Sequence, residues 1–213
     1  MGYSNVELAN QALDHLGKNN IASLVEESVE ARKMNAVFDR TIESALARSA
    51  WSFSKEIADL ALVTPNDWDE RWCYKYDRPT AAIRILRLVP EVDIQNATPL
   101  LYELHGAFLY TNEANAKAEY TLDTTTTTSM PTFFLDAVSF LLARNAAMQL
   151  TRKRSYWVDM NEAYEGHILQ AMELDAGQEP NTYVPQANTY LDARGGGEQY
   201  VSHTSVDGSI YWE

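Results

Sequence analysis

Four histidines, one cysteine and many carboxylates are the residues with chemistry to offer, and their spacing decides what each can do. His15, His105, His167 and His203 are scattered along 213 residues with no second ligand at helical or turn spacing, and Cys73 adds no partner. A metal site needs three or four donors brought together, so neither a metal nor a cofactor is expected. Glycoside hydrolysis needs one carboxylic acid of raised pKa and a second carboxylate held across a cleft. Any two of the 30 Asp and Glu residues can be nominated for that, so the count selects none. Glu26, Glu27 and Glu30 do cluster, but around the expected start of a helix, where carboxylates meet the positive end of the helix dipole and Ser23 and Glu26 have capping spacing. No GxSxG elbow and no GxxxxGK phosphate loop occurs, the Gly195–Gly197 triplet is followed by no helical pattern, and Ser155 is near His167 only in chain order. The expectation is no catalytic residue and no enzyme.

The elements that would position these residues are better marked than the residues themselves. Ser4 with Glu7 three positions on has the form of a capping box, Ala9, Ala12, Leu13 and Leu16 share one face, and Gly17 offers a left-handed stop, which predicts a helix over about 4–16. Met34, Val37, Phe38, Ile42, Ala45 and Leu46 recur at helical spacing, predicting an amphipathic helix over about 28–50, roughly 33 Å long. Between about 70 and 123 the period changes to two. Trp72, Tyr74 and Tyr76 alternate with Cys73 and Lys75; Ile83, Ile85, Leu88 and Val89 suggest a second strand whose register Leu86 blurs. Tyr102–His105 and Phe108–Tyr110 flank Gly106-Ala107 as a tight hairpin, and Ala116, Ala118, Tyr120 and Leu122 form the apolar face of a strand whose other face, with Lys117, Glu119 and Thr121, is expected in solvent. The threonine run 124–128 reads as a loop.

Pro131 and Thr132 open a helix over about 132–150 whose Phe133, Phe134, Val138, Leu141, Leu142 and Met148 cover most of its circumference, so it belongs at the centre of the core. Arg152, Lys153 and Arg154 follow, where cations favour a helix C-terminus. A last helix over about 155–175 carries Trp157, Met160, Tyr164, Ile168 and Met172 on one side, closed by Gly177 and Pro180. The predicted fold is therefore α+β: a mainly helical core of about four helices, a small antiparallel sheet inserted between the second and third, and an extended C-terminal arm. The folded domain is expected over 1–178 and the arm over 179–213. The arm has no periodicity, yet Tyr183, Tyr190, Tyr200, Tyr211 and Trp212 make it more aromatic than a linker, so these five are candidate interface anchors that order on a partner.

Composition bounds the partners. With 17 cations against 30 anions the net charge is −13, unsuited to holding nucleic acid by its phosphates. One cysteine makes no internal disulfide, no cleavable apolar leader opens the chain, and the most apolar run, 133–142, is about half the roughly 20 residues that span a bilayer. Cytoplasmic synthesis and no membrane are expected.

The order and spacing of Ala12, Leu13, Leu16, Gly17, Ile21, Ser23, Leu24, Ser28, Glu30, Ala31, Asp39, Leu46, Trp51 and Phe53 resembles the tail tubular protein A family, the head-to-tail adaptors of short-tailed bacteriophages. The resemblance continues through Tyr102–Asn112 (YELHGAFLYTN) and the helix from Phe133 to Leu150, and so covers roughly residues 3–175; it weakens at Thr124–Thr128 and is absent from the last 34 residues or so. It implies a structural virion protein at the head-tail junction, made in the host cytoplasm. Its partners would be copies of itself in a ring, usually a dodecamer, the portal protein and a tail nozzle of the tail tubular protein B type, with tail fibres as a further candidate. Genomic DNA would pass through the channel without specific binding, the acidic wall offering no phosphate contacts. Twelve copies of a −13 chain repel one another, so salt should strengthen the ring and a ring that loosened on adding salt would contradict this picture. Two other classes compete: a tail-associated peptidoglycan hydrolase, and another head-completion or virion structural protein.

Overall fold

A computed structural model of the chain describes residues 3–68, 70–90 and 100–178. The arm expected over 179–213, with Tyr183, Tyr190, Tyr200, Tyr211 and Trp212, lies outside the described residues.

The α+β expectation holds, with four α-helices and inserted antiparallel strands among the described residues. α1 (Asn5–His15) begins at the capping box: the Glu7 amide donates to Ser4 Oγ (3.2 Å) and the Ser4 amide to Glu7 Oε2 (2.7 Å). It ends in a Schellman turn, with Gly17 at φ +62°, the Lys18 amide on the Leu13 carbonyl and the Gly17 amide on that of Asp14, each at 3.0 Å. α2 is Val29–Leu46, capped by Ser28, whose Oγ accepts from the Ala31 amide at 3.1 Å. It stops four residues short of the expected Ala50. The Trp51 indole donates to the Ala45 carbonyl (3.0 Å), and the chain turns so that Trp51 enters the core instead of extending the helix. Ser23 and Glu26 do not cap α2; they close the loop before it, Glu26 Oε2 accepting from the Ala22 amide at 2.9 Å and Ser23 Oγ from the Val25 amide at 3.3 Å.

The β region departs most from expectation. It begins at residue 55, not about 70, and holds two sheets among the described residues instead of one. β1 (Lys55–Asp59), β7 (Lys117–Leu122) and β4 (Ala82–Val89) form one, in the order β1-β7-β4; β2 (Leu62–Val63), β3 (Tyr74–Asp77), β6 (Phe108–Thr111) and β5 (Tyr102–His105) form the other, in the order β2-β3-β6-β5. β1 escapes sequence reading because it is an edge strand of charged and small residues whose one large apolar side chain, Ile57, is exposed. The blurred register at Leu86 has a cause: the β4–β7 pairing shifts between Ala82 and Arg84 and again between Ile85 and Arg87, and these irregularities let Ala82, Ile85, Leu88 and Val89 all be buried. The hairpin forms as expected, Leu104 opposite Leu109 and Gly106 at φ +61°. The outer face of β7 is not simply solvated. β7 is the central strand, and Thr121, between Lys55 and Arg84, is fully buried.

Met130 and Pro131 lead into α3 (Thr132–Thr151), which buries most of its circumference from Phe134 to Ala147, as its apolar residues predict, with Asp136, Phe140 and Arg144 half-buried along one stripe. Met148 is the exception and is exposed. α4 (Arg154–Ala176) packs antiparallel on α3 through Tyr164, Ile168 and Ala171; Trp157, expected on that face, is half exposed, and Tyr156 and Met160 make the partly buried contacts at that end. Gly177 ends α4 with ordinary right-handed geometry, φ −70°, so no left-handed stop is used there. The helical core is one cluster from all four helices and includes Trp51, Phe53 and Phe134, whose rings meet edge to face at 4.9 Å (Trp51–Phe134) and 5.0 Å (Phe53–Phe134); a second, smaller cluster lies among the strands. The threonine loop is pinned to the N-terminus, with buried Thr127 Oγ1 2.5 Å from the Tyr3 carbonyl oxygen and 2.9 Å from Asn5 Oδ1.

Candidate functional site

Two histidines distant in sequence come together. His15 at the end of α1 stacks on Phe140 of α3 (centroids 4.1 Å apart), and His167 of α4 stacks on the same ring (4.6 Å). Beside them His15 Nε2 lies 3.0 Å from Ser139 Oγ, a base beside a hydroxyl. Its polarity is wrong for nucleophile activation. The Ser139 hydroxyl donates to the Asp136 carbonyl at 2.7 Å, so His15 Nε2 must donate to Ser139 and cannot take its proton. Ser139 is also fully buried, closed to any substrate. Burial holds the His15 pKa below the usual histidine value, with His167 acting in the same direction and Asp14 and Asp136 opposing it. A shallow groove of about 250 Å³ passes Thr132, Phe133, Asp136, His167, Gln170 and Leu174. Asp136 also accepts a long bond, 3.5 Å, from Gln11.

The remaining chemical candidates are dispersed. Ser155 and His167 lie on one helix about 18 Å apart at 1.5 Å per residue. His105 stacks on Trp68 at 4.3 Å, Cys73 is exposed, and His203 lies outside the described residues. No group of three or more His, Cys, Asp or Glu side chains that could hold a metal occurs among the described residues. Where a carboxyl pKa moves, it moves down: the Ser4 amide and hydroxyl hold Glu7 low, the Ser28 hydroxyl and the Ala22 amide hold Glu26 low, and Lys75 holds Asp67 low. These three are committed anions, the opposite of a general acid.

What the surface offers instead is apolar side chains beside charge. The link between α3 and α4 exposes Met148, Trp157 and Val158 around Arg152, Lys153 and Arg154. The helix-dipole account suits Arg152, which takes the left-handed C-cap position at φ +56°, but Arg154 is the first residue of α4, where a cation meets the positive end of the dipole. At the other charged site, Val25 and Val29 stand exposed among Glu26, Glu27 and Glu30. On the strands Ile57, Leu62 and Leu104 are exposed, as is Leu101 just before β5. Sequence reading assigned both charged clusters to helix termini and left out the valines and Met148 as surface; the signal was present as the longest run of cations in the chain beside a tryptophan.

Compared with models of protein families and with curated proteins, the sequence matches none. No described helix is long and apolar enough to cross a membrane.

Proposed function

We propose that this chain is a structural virion protein, the ring-forming head-to-tail adaptor of a short-tailed phage, seated between portal and tail nozzle and forming part of the channel through which DNA leaves. The observation that carries this reading is that the segments bearing the resemblance to the tail tubular protein A family are folded elements that meet. Residues 12–53 supply the end of α1, all of α2 and the Trp51–Phe53 turn, residues 133–150 supply most of α3, and Trp51, Phe53 and Phe134 join them ring against ring. The third segment, 102–112, is the β5–β6 hairpin.

Two further features favour binding over chemistry. Ser139 and His15 serve packing, and apolar side chains remain exposed on α2, α3 and α4, as on proteins that bury such surface against partners. The acidic surface suits a wall that duplex DNA must slide past. The test is electron microscopy of the purified chain mixed with its cognate portal. A twelve-fold layer added beneath the portal is the expected result, and truncation after Gly177 then asks whether the arm holds it. If no layer forms, a different virion position or a cell-wall hydrolase takes its place, and peptidoglycan hydrolysis decides between those two.

A further inference from the structure

The two charged and apolar surfaces lie at the same end of the helical bundle. α2 runs antiparallel to α3: the Asn145 side-chain amide donates to Thr41 Oγ1 at 2.8 Å, and Trp51, beyond the far end of α2, packs on Phe134 near the start of α3. From that pairing, α2 continues 12 residues back to Val29, whereas α3 has only six left to Thr151. At 1.5 Å per residue the start of α2 overhangs the α3–α4 link by about 9 Å.

The surfaces are complementary. The α2 start carries three carboxylates (Glu26, Glu27, Glu30) with Val25, 82% exposed, and Val29; the link carries three cations (Arg152, Lys153, Arg154) with Met148 and Trp157, the latter 40% exposed. No ion pair joins the two sets within the chain among the described residues. A groove of about 270 Å³ beside Val29 is walled by Arg32 and Lys33, whose apolar stems and cationic ends suit an indole ring.

We propose that the α2 start of one copy of this chain seats against the α3–α4 link of the next, the carboxylates meeting the cations and Trp157 entering the groove by Val29. The contact is heterologous, with different surfaces meeting, so repetition closes a ring when the rotation permits. Both surfaces stand at one end of the bundle, so copies with parallel bundles meet at one level. This inference rests on the ring reading above and names the surfaces that build the ring.

The test uses full-length chains, isotope-labelled and unlabelled, mixed and treated with a carbodiimide that joins amine to carboxylate without a spacer, alone and on the portal. The expected product is a mixed-isotope link from Lys153 to Glu26, Glu27 or Glu30. Neutralising the link (R152S/R154S, keeping Lys153 as the reporter) or the α2 start (E26Q/E30Q, keeping Glu27) should each lower its yield about tenfold. Mixing those two variants should restore it, because one supplies a native α2 start and the other a native link, and the product should stop at a pair. R152K/R154K, which keeps the charge, should behave as the native chain. Absence of the mixed-isotope link, or a yield in both neutralised variants equal to that of the native chain, overturns the inference. A portal layer that still forms with both variants refutes this contact and leaves the adaptor reading standing; linked pairs from a chain that never adds to the portal do the reverse. Salt is a poor discriminator here, since it screens these contacts and the net repulsion together.

Discussion

Trp51 in the helical part and Lys75 in the strand part are both enclosed, one by rings and the other by a charge and a ring. Trp51 is fully buried, packs edge to face on Phe134 and satisfies its indole N–H on the Ala45 carbonyl. Lys75 is buried on β3 with its ammonium 2.7 Å from Asp67 Oδ1 and 4.2 Å from the centre of the Phe108 ring. The Asp67 bond raises the Lys75 pKa against the opposing effect of burial. The clusters around them differ in the same sense: 27 buried apolar residues in the helical core against nine in the strand core, described residues only. Burial stabilises in proportion to area, so the helical core sets the global stability and the strands depend more on pairing and polar ties. Such regions open locally before the whole molecule unfolds.

The largest effect that could break this comparison is at the ring cluster. Trp51→Ala should cost about 3–5 kcal/mol in denaturant unfolding, since it removes a buried indole and leaves the Ala45 carbonyl without its donor. Trp51→Phe should recover part of that. A loss well below 1 kcal/mol would mean that the helical part is not the stable half. Next comes Lys75→Met, which keeps an apolar stem over Phe108 and removes the charge that Asp67 meets. Amide exchange should accelerate along β3 and β6 far more than along α3, with the global unfolding midpoint little moved. Equal acceleration in α3 would show the two parts opening as one.

That contrast also explains how much was legible beforehand. Helical elements rested on local signals that the structure keeps: the Ser4–Glu7 box, the Gly17 turn, the apolar circumference of α3. Where they failed, tertiary packing intervened, as when Trp51 packed on Phe134, its indole took the Ala45 carbonyl and α2 ended early. The strands depend on partners far along the chain. β1 pairs with β7 across more than 50 residues and shows no alternation, and β4 buries Ile85, Leu88 and Val89 only through register shifts that pairing imposes. The candidate surfaces were half legible. The charges of Glu26–Glu30 and Arg152–Arg154 stand plainly in the sequence, but that both lie at one end of the bundle follows from the antiparallel packing of α2 on α3. The meeting of His15 and His167 on Phe140 is equally a product of packing, with no spacing to announce it.

The smallest expected effect is a slope, and it asks whether the helical part too holds an enclosed ionisable group at a cost. His15, between Phe140 and Ser139, has a pKa held below the usual 6.5 first by burial and then by His167, against Asp14 and Asp136. A histidine depressed on folding takes up its proton more readily when unfolded, so its contribution is complete above about pH 6.5 and is lost as pH falls through the lower folded value. Stability should therefore decline on acidification from pH 7 before the carboxylates of Glu7, Glu26 and Asp67, all held low, begin to protonate. His15→Gln keeps an N–H to face Ser139 Oγ and removes the titration, so it should flatten the slope between about pH 7 and 5. An unchanged slope in that variant would assign the acid sensitivity to another group. A flattened slope would show that the helical part, like the strands around Lys75, carries charge chemistry inside its packing, with the sign reversed: burial works against the charge at His15, whereas a carboxylate partner secures it at Lys75.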